Sequence, residues 1–137
     1  MIEESRRKTK ILSVHEKREI IELLKEAFNN IDEVSLAIIH GGFIECRVFR
    51  DIDIALYLSC VPLREDVLEE VSEALEKKLD IAIDIQILNY APPSFIVKAL
   101  KNGLTIVEKV PGLREILFIH VLEELNRLKR PRNIKLI

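Results

Sequence analysis

Residues 81–88, Ile-Ala-Ile-Asp-Ile-Gln-Ile-Leu, alternate strictly, with Ile81, Ile83, Ile85 and Ile87 on one side and Ala82, Asp84 and Gln86 on the other. A helix would scatter those isoleucines around its circumference, so the pattern fits an extended strand with one apolar and one polar face. Such a strand needs a second layer over its apolar side. Residues 51–58, Asp-Ile-Asp-Ile-Ala-Leu-Tyr-Leu, make a second strand. Its Ile52, Ile54, Leu56 and Leu58 are assigned to the core. Asp51 and Asp53 then share the opposite face, roughly 6.5–7 Å apart along the backbone.

The remaining elements follow from period and punctuation. Ser13-Val14-His15-Glu16 has the form of a capping box, and Ile20, Leu24, Ala27, Phe28 and Ile31 recur behind it at helical spacing, which predicts a helix over about 15–30. Residues 34–40, VSLAIIH, form a short apolar run stopped by Gly41-Gly42, a strand followed by a loop at 41–50. Pro62 suits a first helical turn, and Val67, Val71, Ala74, Leu75 and Leu79 mark one face through about residue 79. Pro92-Pro93-Ser94 opens a short helix that Asn102-Gly103 closes, and LTIVE is a fourth strand. After Pro111-Gly112, a final amphipathic helix covers about 112–130, with Leu113, Ile116, Leu117, Val121, Leu125 and Leu128 as its stripe and Pro131 beyond it. The expected order is α-β-β-α-β-α-β-α: one α+β domain over 1–137, a mixed sheet of about four strands with helices packed on it.

Composition limits the function classes. The chain of 137 residues is 48% apolar and 32% charged, which reads as one soluble globular domain. No apolar stretch is long enough to span a bilayer, and MIEESRRKTK has no signal-peptide character. A net charge of −2 gives no general pull toward nucleic acid, so nucleic acid is not expected as a main partner. The basic clusters Arg6-Arg7-Lys8 and Lys129-Arg130-Pro131-Arg132 read as solvated termini. Cys46 and Cys60 have neither metal-motif nor disulfide spacing, in keeping with a reducing, cytoplasmic setting.

The three aspartates carry the chemical argument. If strands 51–58 and 81–88 are neighbours, Asp51, Asp53 and Asp84 converge on one patch of sheet. Three such carboxylates repel one another unless cations fill the site. Oxygen-only ligands suit Mg²⁺ or Mn²⁺, and two such ions can hold the attacking and leaving oxygens of an in-line displacement. Gly41 and Gly42, directly after an apolar strand, can form a turn whose backbone N–H groups meet an anion. Arg47 and Arg50 could reach phosphate oxygens, or Arg50 could simply balance the aspartates.

Together, a strand, Gly41-Gly42, a loop, Asp51-Ile52-Asp53-Ile54 and Ile83-Asp84-Ile85 resemble the DNA polymerase beta-like nucleotidyltransferase superfamily, and within it the minimal, single-domain members. The resemblance covers roughly residues 15–108. It implies that Asp51, Asp53 and Asp84 bind the metal ions and carry catalysis, that Gly41, Gly42 and Arg50 bind the nucleotide, and that an NTP, ATP first among them, donates a nucleoside monophosphate to a hydroxyl of a protein or small acceptor. Minimal members of this look are often paired with a helical HEPN-type protein in toxin–antitoxin modules. The alternative implied is therefore a weakly active or inactive antitoxin or binding subunit for such a partner, with homo-oligomerisation left open. Three departures from the family pattern stand out. His40 replaces an aliphatic residue, the loop 43–50 (FIECRVFR) is short, and Arg50 stands where Ser is frequent.

Overall fold

The structure is a computed structural model, and it describes residues 6–59 and 65–129. Four strands form the main sheet: β2 (Val34–His40), β4 (Asp51–Leu58), β5 (Ala82–Ile87) and β6 (Leu104–Glu108), in spatial order β5-β4-β2-β6. β2 runs antiparallel to β4 and β6, whereas β4 and β5 are parallel. The expected mixed four-stranded sheet is present, and the two aspartate strands are neighbours. A small ladder, β1 (Lys10–Ile11) with β3 (Val48–Phe49), lies apart from it.

Five helices accompany these strands among the described residues: α1 (Val14–Asn29), α2 (Gly42–Glu45), α3 (Glu65–Leu79), α4 (Pro93–Asn102) and α5 (Leu113–Lys129). The capping box is formed as expected. The Ser13 hydroxyl accepts from the Glu16 N–H at 3.0 Å, and the Glu16 carboxylate accepts from the Ser13 N–H at 2.9 Å. Pro62, Cys60 and the Arg130–Arg132 cluster lie outside the described residues, so α3 is followed only from Glu65.

β2 is an interior strand and is apolar because both of its faces are covered. Ala37 and Ile39 join the larger core with Leu24 and Phe28 of α1, Ile52, Ile54, Leu56 and Leu58 of β4, and Leu75 of α3. Leu36 and Ile38 join a smaller core with Ala55 of β4 and Ala99 and Leu100 of α4, against which Tyr57, Phe95, Leu113, Leu117 and Phe118 pack. The aspartate face of the sheet is therefore not open throughout. α4 and α5 cover its far half, over Ala55 and Tyr57, and leave the Asp51–Asp53 end accessible.

Asn102-Gly103 closes α4 as expected, with Gly103 in extended backbone at φ −84°; it is glycine because an added Cβ would overlap Ile38 and the Ala99 carbonyl. One expectation needs correction. On α5, Ile116 and Leu128 of the predicted stripe are 62% and 66% exposed. Leu113, Leu117 and Val121 of that stripe do pack, joined by Phe118. Arg114 fastens this helix by donating to Thr105 Oγ1, the Leu100 carbonyl and, at 2.9 Å, the Gly103 carbonyl. No helix among the described residues is long and apolar enough to cross a membrane.

Candidate active site

Parallel pairing of β4 and β5 sets Asp51 opposite Ala82 and Asp53 opposite Asp84. Alternation does the rest: Asp51, Asp53 and Asp84 stand on one face, and one carboxylate oxygen from each lies within 4.8 Å of the others. Octahedral Mg²⁺ holds oxygens at about 2.0–2.1 Å, so opposite ligands of one ion are ~4 Å apart. The three oxygens lie within 4.8 Å of one another, near that span, and an all-oxygen set suits a hard divalent cation. The residues fit such an ion.

The electrostatics agree. Burial, then the charges of Asp51 and Asp84, push the Asp53 carboxyl up to about 6. Burial first, and Asp84 second, also raise Asp51, although Arg7 and Arg50 oppose the shift. Carboxylates crowded in this way favour either a proton or a metal cation.

Gly41 borders the trio directly. Its φ is +78°, a conformation glycine adopts without cost, and an added Cβ would overlap the Asp53 carboxylate. Gly42 has more room, with Phe49 Cβ 3.6 Å from a Cβ placed there. The segment expected as a plain loop instead folds into α2 and β3. Phe43 and Phe49 are buried and pack edge to face, with centroids 4.9 Å apart. The Lys17 ammonium donates to the carbonyls of Phe43 at 2.8 Å and Cys46 at 3.0 Å. It also lies 5.2 Å from both ring centroids. Cys46 is exposed.

The nearest cation is not the expected one. Arg50 is exposed and forms no ion pair among the described residues. Arg7, assigned from the sequence to a solvated terminus, places Nη1 3.2 Å from Asp51 Oδ2 and Nη2 3.2 Å from Asp84 Oδ1. Neither Arg7 nor Lys17 has a sequence signal, because each meets its partners only through the tertiary fold. His40 sits opposite Asp53 in the β2–β4 register. Its ring meets Phe95 edge-on at 5.5 Å, and burial, the main effect, lowers its pKa while the Gln86 carboxamide opposes that shift.

The fold matches that of several solved complexes. A chain of the complex of a tri-AMPylated Shewanella oneidensis HEPN toxin with an MNT antitoxin gives a TM-score of 0.67 at 18% identity, covering 82% of this chain and 89% of that one. A MntA–HepT toxin–antitoxin structure gives 0.62 at 20% identity, covering 85% and 90%. A toxin–antitoxin structure with AMP-PNP gives 0.65 at 22% identity, covering 82% and 89%. At these identities the likeness establishes a shared fold, the nucleotidyltransferase fold. No curated protein sequence shows a significant match. Residues 22–111 match the family model described as "Polymerase beta, Nucleotidyltransferase". Because that match takes in the glycine turn and both aspartate strands, the chain belongs to the polymerase beta nucleotidyltransferase family.

Proposed function

We propose that this domain is a Mg²⁺- or Mn²⁺-dependent nucleotidyltransferase that moves AMP from ATP, or the corresponding monophosphate from another NTP, to a hydroxyl of a protein or small acceptor, the α–β phosphoanhydride bond breaking and pyrophosphate leaving. The observation that carries this reading is the convergence of Asp51, Asp53 and Asp84 on one face beside Gly41. In this reading Asp51, Asp53 and Asp84 would hold the divalent metal. A divalent ion bound there would stabilise the charge developing on the transferring phosphoryl group.

The chain's own groups divide the remaining work. Asp84, across from Asp53, would orient an acceptor hydroxyl and take up its proton. The Gly41-Gly42 turn lets the triphosphate approach the backbone, and the first N–H groups of α2 have no partners within the helix. Arg50 stands beside Asp51, where it can reach a phosphate oxygen. α2 and β3, tied to α1 by Lys17, hold this turn in place.

Calorimetry with ATP and Mg²⁺, paired with transfer of labelled nucleotide, tests the proposal. Binding that Asp53→Asn abolishes is expected. ATP binding indifferent to that substitution would sink the metal-site assignment.

A second reading has its own support: a weakly active or inactive antitoxin-like subunit for a HEPN-type helical partner. Ile116, Ile119 and Leu128 of α5 are exposed, and the similar folds occur in HEPN toxin–MNT antitoxin complexes. Co-purification of a helical partner together with absent nucleotide transfer would favour it. Both readings suit a cytoplasmic protein.

A further inference from the structure

The N-terminal segment ahead of α1 crosses the acidic trio rather than trailing into solvent. Arg7 reaches two strands at once, pairing with Asp51 on β4 and Asp84 on β5, each at 3.2 Å. A guanidinium usually forks onto one carboxylate; here it bridges two that belong to different strands. Its position between these oxygens is the position a divalent cation would need.

The segment is anchored on both sides of Arg7. Lys10 Nζ donates to the carbonyls of Arg6 at 2.7 Å and Lys8 at 2.9 Å, closing the backbone into a tight loop. Lys10 and Ile11 then pair with Phe49 and Val48. On the other side Arg6 Nη1 is 3.5 Å from Glu76 Oε1. Glu76 Oε2 in turn accepts from the N–H of Ile83, the residue before Asp84, at 2.7 Å. The strap thus spans from β3 to α3 across the mouth of the site.

Its hold at the centre is nevertheless exchangeable. The Arg7 side chain is about half exposed, and ion pairs in contact with water are individually weak. A divalent ion among the three carboxylates would repel the guanidinium and take up the oxygens to which it donates. The two cations cannot occupy the seat together.

We propose that Arg7 is a built-in counter-ion for the Asp51–Asp53–Asp84 seat, and that a divalent cation binds by displacing it and releasing the Arg6–Ile11 strap. This rests on the assignment of the trio as a metal seat. Two opposite consequences follow. Without metal, Arg7 relieves the repulsion among the aspartates; with metal, it is a competitor.

The test titrates the full chain with Mn²⁺ alone, following free ion by electron paramagnetic resonance. Arg7→Gln is compared with Lys8→Gln, which removes the same charge one residue away, from an exposed side chain with no ion pair among the described residues. Arg7→Gln is expected to tighten Mn²⁺ binding about five- to tenfold, the scale of one or two solvated ion pairs ceasing to compete. Lys8→Gln should stay within about twofold of the parent. Arg7→Gln should also melt below the parent without metal and level with it at saturating Mn²⁺.

Hydrogen exchange on the unsubstituted chain gives a readout that does not depend on the variant folding: Mn²⁺ should speed exchange across residues 7–11. Equal gains for both variants, unchanged or weaker binding in Arg7→Gln, or a strap that exchanges no faster with Mn²⁺ would each overturn the proposal. If Mn²⁺ binding is lost in Asp53→Asn but untouched by Arg7→Gln, only the strap fails. If no Mn²⁺ binding depends on Asp53, the metal-seat assignment fails with it.

Discussion

Gly41 lies so close to Asp53 that a methyl group on the glycine would overlap the aspartate's carboxylate. The turn after β2 and the second residue of the acidic trio are therefore one steric unit. At φ +78° the turn also occupies a backbone region that other residues enter only with strain.

Gly41→Ala should consequently do two kinds of damage. Strain and overlap together are expected to cost about 1–3 kcal/mol in a urea unfolding experiment, and the displaced carboxylate should weaken Mn²⁺ binding. Gly42→Ala is the contrast, since its new methyl would meet Phe49 Cβ at an ordinary 3.6 Å. That variant should keep the fold within about 1 kcal/mol. Equal losses in the two variants would show that the contact with Asp53 is not what restricts position 41.

The acidic trio also sets a pH dependence. Asp53 is raised from its ordinary 3.8 to about 6, first by burial and then by Asp51 and Asp84. A carboxyl raised on folding holds its proton more tightly in the native state. Its favourable contribution is full below 3.8 and is lost as pH climbs through about 6. Metal-free Asp53→Asn should thus be more stable than the parent near pH 7.5, and the gap should narrow as pH falls below about 6 and close only near 3.8. Because the site is partly solvated, the gap should be roughly 1 kcal/mol, or about 3–5 °C in melting temperature. A variant less stable than the parent near pH 7.5 would contradict this account.

Lys17 tests the loop. Its ammonium ties the Phe43 and Cys46 carbonyls to α1 while facing two aromatic rings. Lys17→Met should keep most of the apolar stem but lose these contacts, at about 1–2 kcal/mol. Hydrogen exchange should rise locally over residues 43–49, with the sheet little affected. Protection unchanged over that segment would mean that the buried Phe43 and Phe49 hold it without the lysine.

These examples separate what local sequence encodes from what only the assembled chain encodes. The alternation of residues 51–58 and 81–88 was legible because side-chain direction in a strand follows from position alone. The Ser13–Glu16 box was legible for the same reason, since both of its hydrogen bonds close within three residues. Arg7 meets carboxylates 44 and 77 residues away, and no spacing rule announces such a contact. The loop 41–50 lacks a long period, so its burial of Phe43 and Phe49 emerges only against α1 and β4. The apolar spacing of α5 marks Leu113, Leu117 and Val121, which do pack, but which of its other apolar residues stay exposed is decided by where α4 leaves room.

That leftover apolar side of α5 supplies the last prediction. Ile116 and Ile119 are 62% and 58% exposed, three residues apart on one helix, whereas Val121 is 4% exposed in the core. Glutamate at 116 and 119 together should change stability by only about 0.5 kcal/mol per site, because neither position is buried. Val121→Ala should cost about 1–2 kcal/mol through the cavity it leaves. If α5 is the surface that receives a HEPN-type helical partner, the double glutamate variant should elute alone in gel filtration after co-expression with that partner. Val121→Ala should still co-elute with it at temperatures where it remains folded. Nucleotide binding should survive in the glutamate variant, because α5 lies beyond Tyr57 and away from the aspartates. Full assembly in the double variant would remove α5 as the docking face and leave the partner to be sought elsewhere on the molecule.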